Sequence, residues 1–180
     1  MKKIYLIRHV KALGQEPEAD LSPEGLYQAE ELTRFLAGKN IEKIVSSPFR
    51  RAVYTIKPFA DAAGMPVQLD ARLSERVLSS NHLPDWLDKL KATFHDPDLK
   101  FAGGESSSEA QRRGIEAISD LETSIEHVGA VVSHGNLLSQ IIRHYQADFG
   151  FKEWSDMRNP DVFELSINQR VTMIRNVWRH

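Results

Sequence analysis

The stretch KKIYLIRHVKALGQ, residues 2–15, decides how the chain is read: an apolar run from Ile4 to Ile7 stops on Arg8 and His9. The run is short, apolar and rich in strand formers, which predicts a buried strand. Its polar end has an ordinary explanation, since a strand that reaches the surface ends on polar residues. It also has a chemical one: in an α/β sheet, ligands bind beyond the C-terminal ends of the strands. The rest of the chain decides between them.

With 180 residues the chain has the length of one domain, or one domain with a modest insertion. It has no cysteine, which excludes disulfides, thiolate zinc sites and a cysteine nucleophile together. Its 23 basic and 25 acidic residues leave a formal net charge of −2, which gives no general reason to expect nucleic acid or an anionic membrane surface as a partner. No apolar stretch is long enough to span a bilayer, and the run at the N-terminus is too short for a signal peptide. A cytoplasmic protein is therefore expected. Its oligomeric state is not legible.

Working outward from the first strand, LSPEGLYQAEELTRFLAGKN predicts a helix with Ser22 as N-cap, Pro23 in the first turn and Gly38 at the end. Leu26, Ala29, Leu32, Phe35 and Leu36 form its apolar face. IEKIVSS predicts a second strand and PFRRAVYTIKPFADAAG a second helix, which Pro58 is expected to kink or break. PVQLD is a third strand, and LPDWLDKLKATFHD a short amphipathic helix with Leu83, Trp86, Leu87, Leu90 and Phe94 on one side. SSSEAQRRGIEAISDLETSIEH reads as a long helix despite Gly114, started by a capping box of Ser106 and Glu109. VGAVVSHGN is a strand that ends at Ser133 and His134, and LLSQIIRHYQADFG is the helix after it. DVFELSIN and RVTMIRNVW alternate as a closing hairpin, with Asn168–Gln169 as its turn. Alternation of strands and helices predicts an α/β fold: a three-layer sandwich with a mostly parallel central sheet and helices on both faces. One domain, 1–180, is expected, with an insertion at about 79–108 forming a small helical excursion over the active-site edge.

Parallel strands bring their C-terminal ends to one edge. Arg8 and His9, Ser46 and Ser47 leading into Arg50 and Arg51, and Ser133-His134-Gly135-Asn136 should therefore converge. Two imidazoles, several guanidiniums and a helix start in one cleft suit a dense anion. A neutral imidazole among cations can also act as a nucleophile. By contrast His82 and His95 are read as surface residues and His144 as structural, while His127 carries no argument.

Several ordered blocks resemble one family. IYLIRHVKA, LSPEGLYQAEEL, VSSPFRRAVYT, LSERVL, GGESSSEAQRR and VVSHGN are similar, in order, to the conserved segments of the histidine phosphatase superfamily, the phosphoglycerate-mutase-like proteins. The resemblance implies a phosphomonoester hydrolase working through phosphohistidine. His9 would be the nucleophile, Arg8 and Arg51 the clamp on the phosphoryl oxygens, and His134 a hydrogen-bond donor to the same group. Glu75 would protonate the leaving oxygen and then take a proton from water. Gln15, Gly135 and Asn136 would contact the substrate. No metal and no cofactor is expected, and the partner is a small phosphorylated metabolite.

The loop after His9 departs from the family pattern. Val10 stands where glycine is usual and is expected to take room near the phosphate, while Lys11 and Ala12 replace the usual acidic and hydroxyl residues. Two alternatives stay open: a phosphoglycerate mutase, and a non-catalytic module that binds phosphate or phosphoprotein. The chain is shorter than the mutases of the family generally are. A pure binder would have little need of Glu75.

Overall fold

The computed structural model describes residues 1–168 and 172–178. Six strands form one sheet in the order β3-β2-β4-β1-β5-β6. They are β1 (Lys2–Arg8), β2 (Lys43–Ser46), β3 (Val67–Leu69), β4 (Val128–Ser133), β5 (Asp161–Ile167) and β6 (Thr172–Asn176). The first four run parallel; β5 pairs antiparallel with both β1 and β6. The closing hairpin is as expected, although Gln169 of its turn lies outside the described residues.

Six helices complete the fold: α1 (Pro23–Leu36), α2 (Arg50–Ala63), α3 (Trp86–His95), α4 (Ser107–Ser124), α5 (Gly135–Tyr145) and α6 (Phe151–Ser155). The period of two along β1 sorts them into layers. Ile4 and Leu6 share one apolar core with Ala117, Ile118 and Leu121 of α4 and Leu137, Leu138 and Ile141 of α5. Tyr5 and Ile7 share the other with Leu32 and Leu36 of α1 and Ala52, Ile56 and Phe59 of α2. Fully buried aliphatic side chains such as these each contribute roughly 1.5–3 kcal/mol. Alternate residues of one strand thus hold the two helical layers apart.

Local chemistry sets the helix boundaries. The Ser22 hydroxyl accepts from the Gly25 N–H to cap α1, and the Ser106–Glu109 capping box opens α4. Gly114 has a packing reason, because a Cβ there would lie 2.7 Å from Ile141 Cγ1 of α5. Two expectations need correction, and one is narrowed. Leu26 is exposed, and it is Gly25 beside it that packs inward. Of the two outcomes expected at Pro58, a break does not occur, since α2 runs continuously through it. Of the expected apolar stripe of α3 only Leu90 and Phe94 are buried; Trp86 and Leu87 are about half exposed. Phe94 meets Phe151 and Trp154 around α6, and those contacts set which face of α3 turns inward.

Register positions the candidate site. Arg8 pairs with Ser133 on one side and with Asp161 on the other, and Ser46 pairs with Val132. The residues that follow β1, β2 and β4 leave the sheet together, where the order of parallel strands reverses. Because β5 is antiparallel, the segment before it arrives at the same edge.

Candidate active site

His9 follows β1 and is buried. Its Nδ1 lies 2.7 Å from the Val10 carbonyl, which can only accept a hydrogen bond. Its Nε2 receives the Arg51 Nε–H at 3.2 Å, and that group can only donate. These two partners fix the tautomer: the proton sits on Nδ1, and the Nε2 lone pair faces a guanidinium. Burial, with Arg51 and Arg8 adding to it, lowers the His9 pKa from the ordinary 6.5 to about 4, against the Val10 hydrogen bond that raises it. A basic lone pair is thus kept free of a proton at neutral pH.

The strand end is held from several sides. The His9 N–H donates to Ser133 O, Asn159 Nδ2 donates to His9 O at 2.7 Å, and the Val10 N–H donates to Thr55 Oγ1. Val10 does not crowd the cleft as expected. Its side chain is fully buried in a small apolar cluster with Leu21 and Ala29, and its φ is not positive. That packing draws the loop onto α1, where Gly25 approaches closely: a Cβ there would lie 2.0 Å from Lys11 O.

Arg51, in the first turn of α2, is almost completely buried. Besides reaching His9, it donates through Nη1 to the carbonyls of Gln15 and Glu16, each at 2.9 Å. The remodelled loop therefore supplies main-chain acceptors that hold the arginine. Gln15 takes part through its carbonyl, while its side chain stands exposed. Arg8 donates through Nη1 to Met157 O at 2.7 Å, while its Nε is buried with no partner. Burial lowers the pKa of both arginines, with Glu75 opposing it.

His134 is completely buried between β4 and α5, with its ring centroid 5.2 Å from that of His9. Its Nε2 lies 2.8 Å from Ser47 Oγ, and its Nδ1 has no partner among the described residues. Burial first, then His9, Arg51, Arg113 and Arg8, hold its pKa well below the ordinary value. Gly135 lets α5 begin against Arg8, since a Cβ there would be 3.0 Å from the guanidinium carbon. Asn136 Oδ1 is buried without a partner. Arg8 Nε, His134 Nδ1 and Asn136 Oδ1, on the segments that follow β1 and β4, are thus buried with no partner among the described residues. Such a group calls for an absent ligand rather than for more protein.

Glu75 lies on the connection after β3. Its carboxylate accepts from the N–H groups of Asn136 at 3.1 Å, Leu137 at 2.9 Å and Arg76 at 2.8 Å. It occupies the N-terminus of α5, and an anion is favoured there. Two arginines hold its segment. Arg113 donates to the carbonyls of Arg72 and Ser74 and pairs with Glu105, while the buried Arg76 binds Glu105 O, Thr93 and Ser107. Through Thr93, the Arg76 side chain also ties α3 to the active-site edge. His82 and His95 are exposed as expected; His144, expected to be structural, is exposed as well, and so is His127.

Arg8, His9, Arg51, Glu75, His134, Gly135 and Asn136 are thus brought to one sheet edge; Gln15 joins them by its backbone only. Sequence reasoning brought Ser47 to the converging edge without giving it a role, and missed Thr55, Met157 and Asn159. Ser47 carried a signal, since it stands beside Ser46 at the end of β2. Met157 and Asn159 carried none, because they reach the site only through the antiparallel pairing of β5.

The chain matches the sequence pattern of the histidine phosphatase superfamily (branch 1) over residues 4–176. It is 31% identical over 168 residues to a glucosyl-3-phosphoglycerate phosphatase of Mycolicibacterium vanbaalenii, covering 78% of this chain and 72% of that one. Among solved structures it resembles a mycobacterial glucosyl-3-phosphoglycerate phosphatase in complex with inorganic phosphate, with a TM-score of 0.79 at 24% identity over 99% of this chain and 97% of the other. It also resembles a mutant phosphoserine phosphatase of Entamoeba histolytica bound to phosphoserine, with a TM-score of 0.79 at 21% identity over 97% and 95%. At those identities the structures speak for the fold.

Proposed function

Because the chain belongs to the histidine phosphatase superfamily, branch 1, we propose that it is a phosphatase that hydrolyses a small phosphorylated metabolite through a phosphohistidine on His9. The observation that carries this reading is the tautomer of His9: a proton held on Nδ1 by Val10 O, and a buried Nε2 lone pair in a cationic cleft. The relative named glucosyl-3-phosphoglycerate phosphatase favours hydrolysis as the outcome.

In this scheme the His9 Nε2 lone pair attacks phosphorus as the bond to the ester oxygen breaks. Arg51 Nε leaves His9 and moves, with Arg8 Nε and the His134 ring, onto the phosphoryl oxygens. Phosphoryl transfer asks the protein chiefly for this positioning and charge stabilisation. The departing alkoxide takes a proton from Glu75. Water then attacks phosphorus while Glu75 takes its proton, the phosphorus–nitrogen bond breaks with its electron pair returning to His9 Nε2, and inorganic phosphate leaves. Oε1 of Glu75 accepts two backbone N–H groups and Oε2 only one, so Oε2 keeps a lone pair on which to carry the proton. Arginines neutralise the charge, and no divalent ion is required by the scheme.

The non-catalytic reading drew its support from Val10, which packs away into its own apolar cluster. No helix among the described residues is long and apolar enough to cross a membrane. The reading is tested by assaying the purified protein against a panel of phosphate monoesters in excess chelator, with His9→Ala as control. Turnover by the wild type and none by the variant is expected. Equal turnover by both, or activity lost to chelator and restored by one metal, would overturn it.

A further inference from the structure

Ser47 is completely buried at the end of β2. Its Oγ accepts the Phe49 N–H at 3.2 Å and lies 2.8 Å from His134 Nε2. Pro48 between them has no N–H, so the turn offers Ser47 only the Phe49 amide. A hydroxyl has one proton to give. The Ser47 side chain has no partner besides Phe49 and His134 among the described residues, which leaves His134 Nε2 as the acceptor for that proton.

We propose that Ser47 is a positioning residue that fixes the tautomer of His134, so that the ring presents an Nδ1–H donor to the phosphoryl oxygens. The inference rests on the phosphatase reading for the purpose of that donor. Counting hydrogen bonds in the two neutral tautomers separates them. If Ser47 donates to Nε2, the proton of His134 is on Nδ1, and one buried group, that N–H, lacks a partner. If Nε2–H donates to Ser47, the serine proton and the Nδ1 lone pair both lack one. An anion in the cleft widens the gap. It satisfies the Nδ1–H of the first arrangement and is repelled by the lone pair of the second. Burial and the cations around His134 keep the ring neutral, so the choice is between tautomers rather than between charge states. Phe49 packs edge-on against the ring with centroids 4.9 Å apart, under the Arg51 guanidinium, and holds its plane.

The two histidines thus carry the same tautomer to opposite ends. His9 gives its Nδ1–H to a backbone carbonyl and offers a lone pair; His134 gives its Nε2 lone pair to a serine and offers a proton.

Nitrogen-15 spectra of the histidine rings read the tautomer directly. His134 of the free wild-type enzyme should be the Nδ1–H form, and its ring N–H signal should move when inorganic phosphate is added. Ser47→Ala should shift the ring toward the Nε2–H form and lower kcat by roughly 10²-fold, the effect of losing one oxyanion donor, with KM little changed. Ser47→Thr keeps the hydroxyl and should keep the tautomer and most of kcat. A wild-type Nε2–H form, a ring signal indifferent to phosphate, an unchanged tautomer in Ser47→Ala, or a changed tautomer with unchanged kcat would each overturn the proposal. Should Ser47→Ala not fold, the wild-type tautomer and its response to phosphate decide. Should the wild type hydrolyse no ester, the phosphatase reading fails, and the spectra still judge the role of Ser47.

Discussion

Replacing His9 by glutamine should make the protein less sensitive to acid, although it removes the proposed nucleophile. In the folded state burial holds the His9 pKa at about 4, against an ordinary 6.5. The direction follows from proton counting. Below pH 6.5 the unfolded chain protonates this ring while the native state does not, so acid favours unfolding. The stability that the neutral ring contributes is fully present above about pH 6.5, falls between 6.5 and 4, and levels off below. The span of 2.5 units corresponds to about 3 kcal/mol in all, at ~1.36 kcal/mol per unit, and to about 2 kcal/mol by pH 5. That is a large share of the ~5–15 kcal/mol that holds a domain together. His134 is also held below its ordinary value with His9 as one cause, so replacing His9 relaxes it too and changes the difference in the same direction. Urea denaturation at pH 7.5, 6, 5 and 4.5 measures it. Between pH 7.5 and 5, wild type should lose about 2 kcal/mol more than His9→Gln. A difference that stays flat across that range would mean that His9 is not held neutral by its surroundings, and the argument for a ready lone pair would fail.

Two further outcomes are specific. Glu75→Gln should lower kcat on an alkyl monoester by ~10²–10⁴-fold, the usual worth of general acid–base help, and much less on a nitrophenyl ester, whose leaving group needs no proton; equal small losses would return Glu75 to a purely capping role on α5. Gly25→Ala sets a Cβ 2.0 Å from a backbone oxygen, that of Lys11, which the Ser22 N–H also holds, and should cost roughly 1–3 kcal/mol by overpacking, read as a lowered Tm; an unchanged Tm would show that the loop after His9 is free to move off α1.

The sheet and most of the cleft were legible because each rests on a local signal. Apolar runs that end on Arg8, Ser46 and Ser133 mark strand ends, and parallel strands share an edge. Failures arose where a neighbour outside the segment decides. Leu26 lies on the apolar stripe of α1, but the loop carrying Lys11 sits over Gly25 and leaves Leu26 in solvent. The α3 stripe is only half used, because Phe151 and Trp154 cover Phe94 and nothing comparable covers Trp86. Val10 is an intruder by sequence alone, because the residues that receive it, Leu21 and Ala29, lie outside its own segment. The pairing of Arg8 with Asp161, which brings Met157 and Asn159 to the cleft, depends on an antiparallel return from the far end of the chain. A hairpin pattern announces two paired strands, not the third strand beside which they lie.

The covalent step is the centre of the account. Mixing the enzyme with an activated phosphate monoester, quenching in alkali to preserve phosphoramidate bonds, and mapping the modified peptide by mass spectrometry tests it directly. The account predicts an acid-labile phosphoryl group on the peptide carrying His9, attached through Nε2, and none in His9→Ala. Label on a serine or on His134, or steady turnover while His9 is never modified, would contradict it.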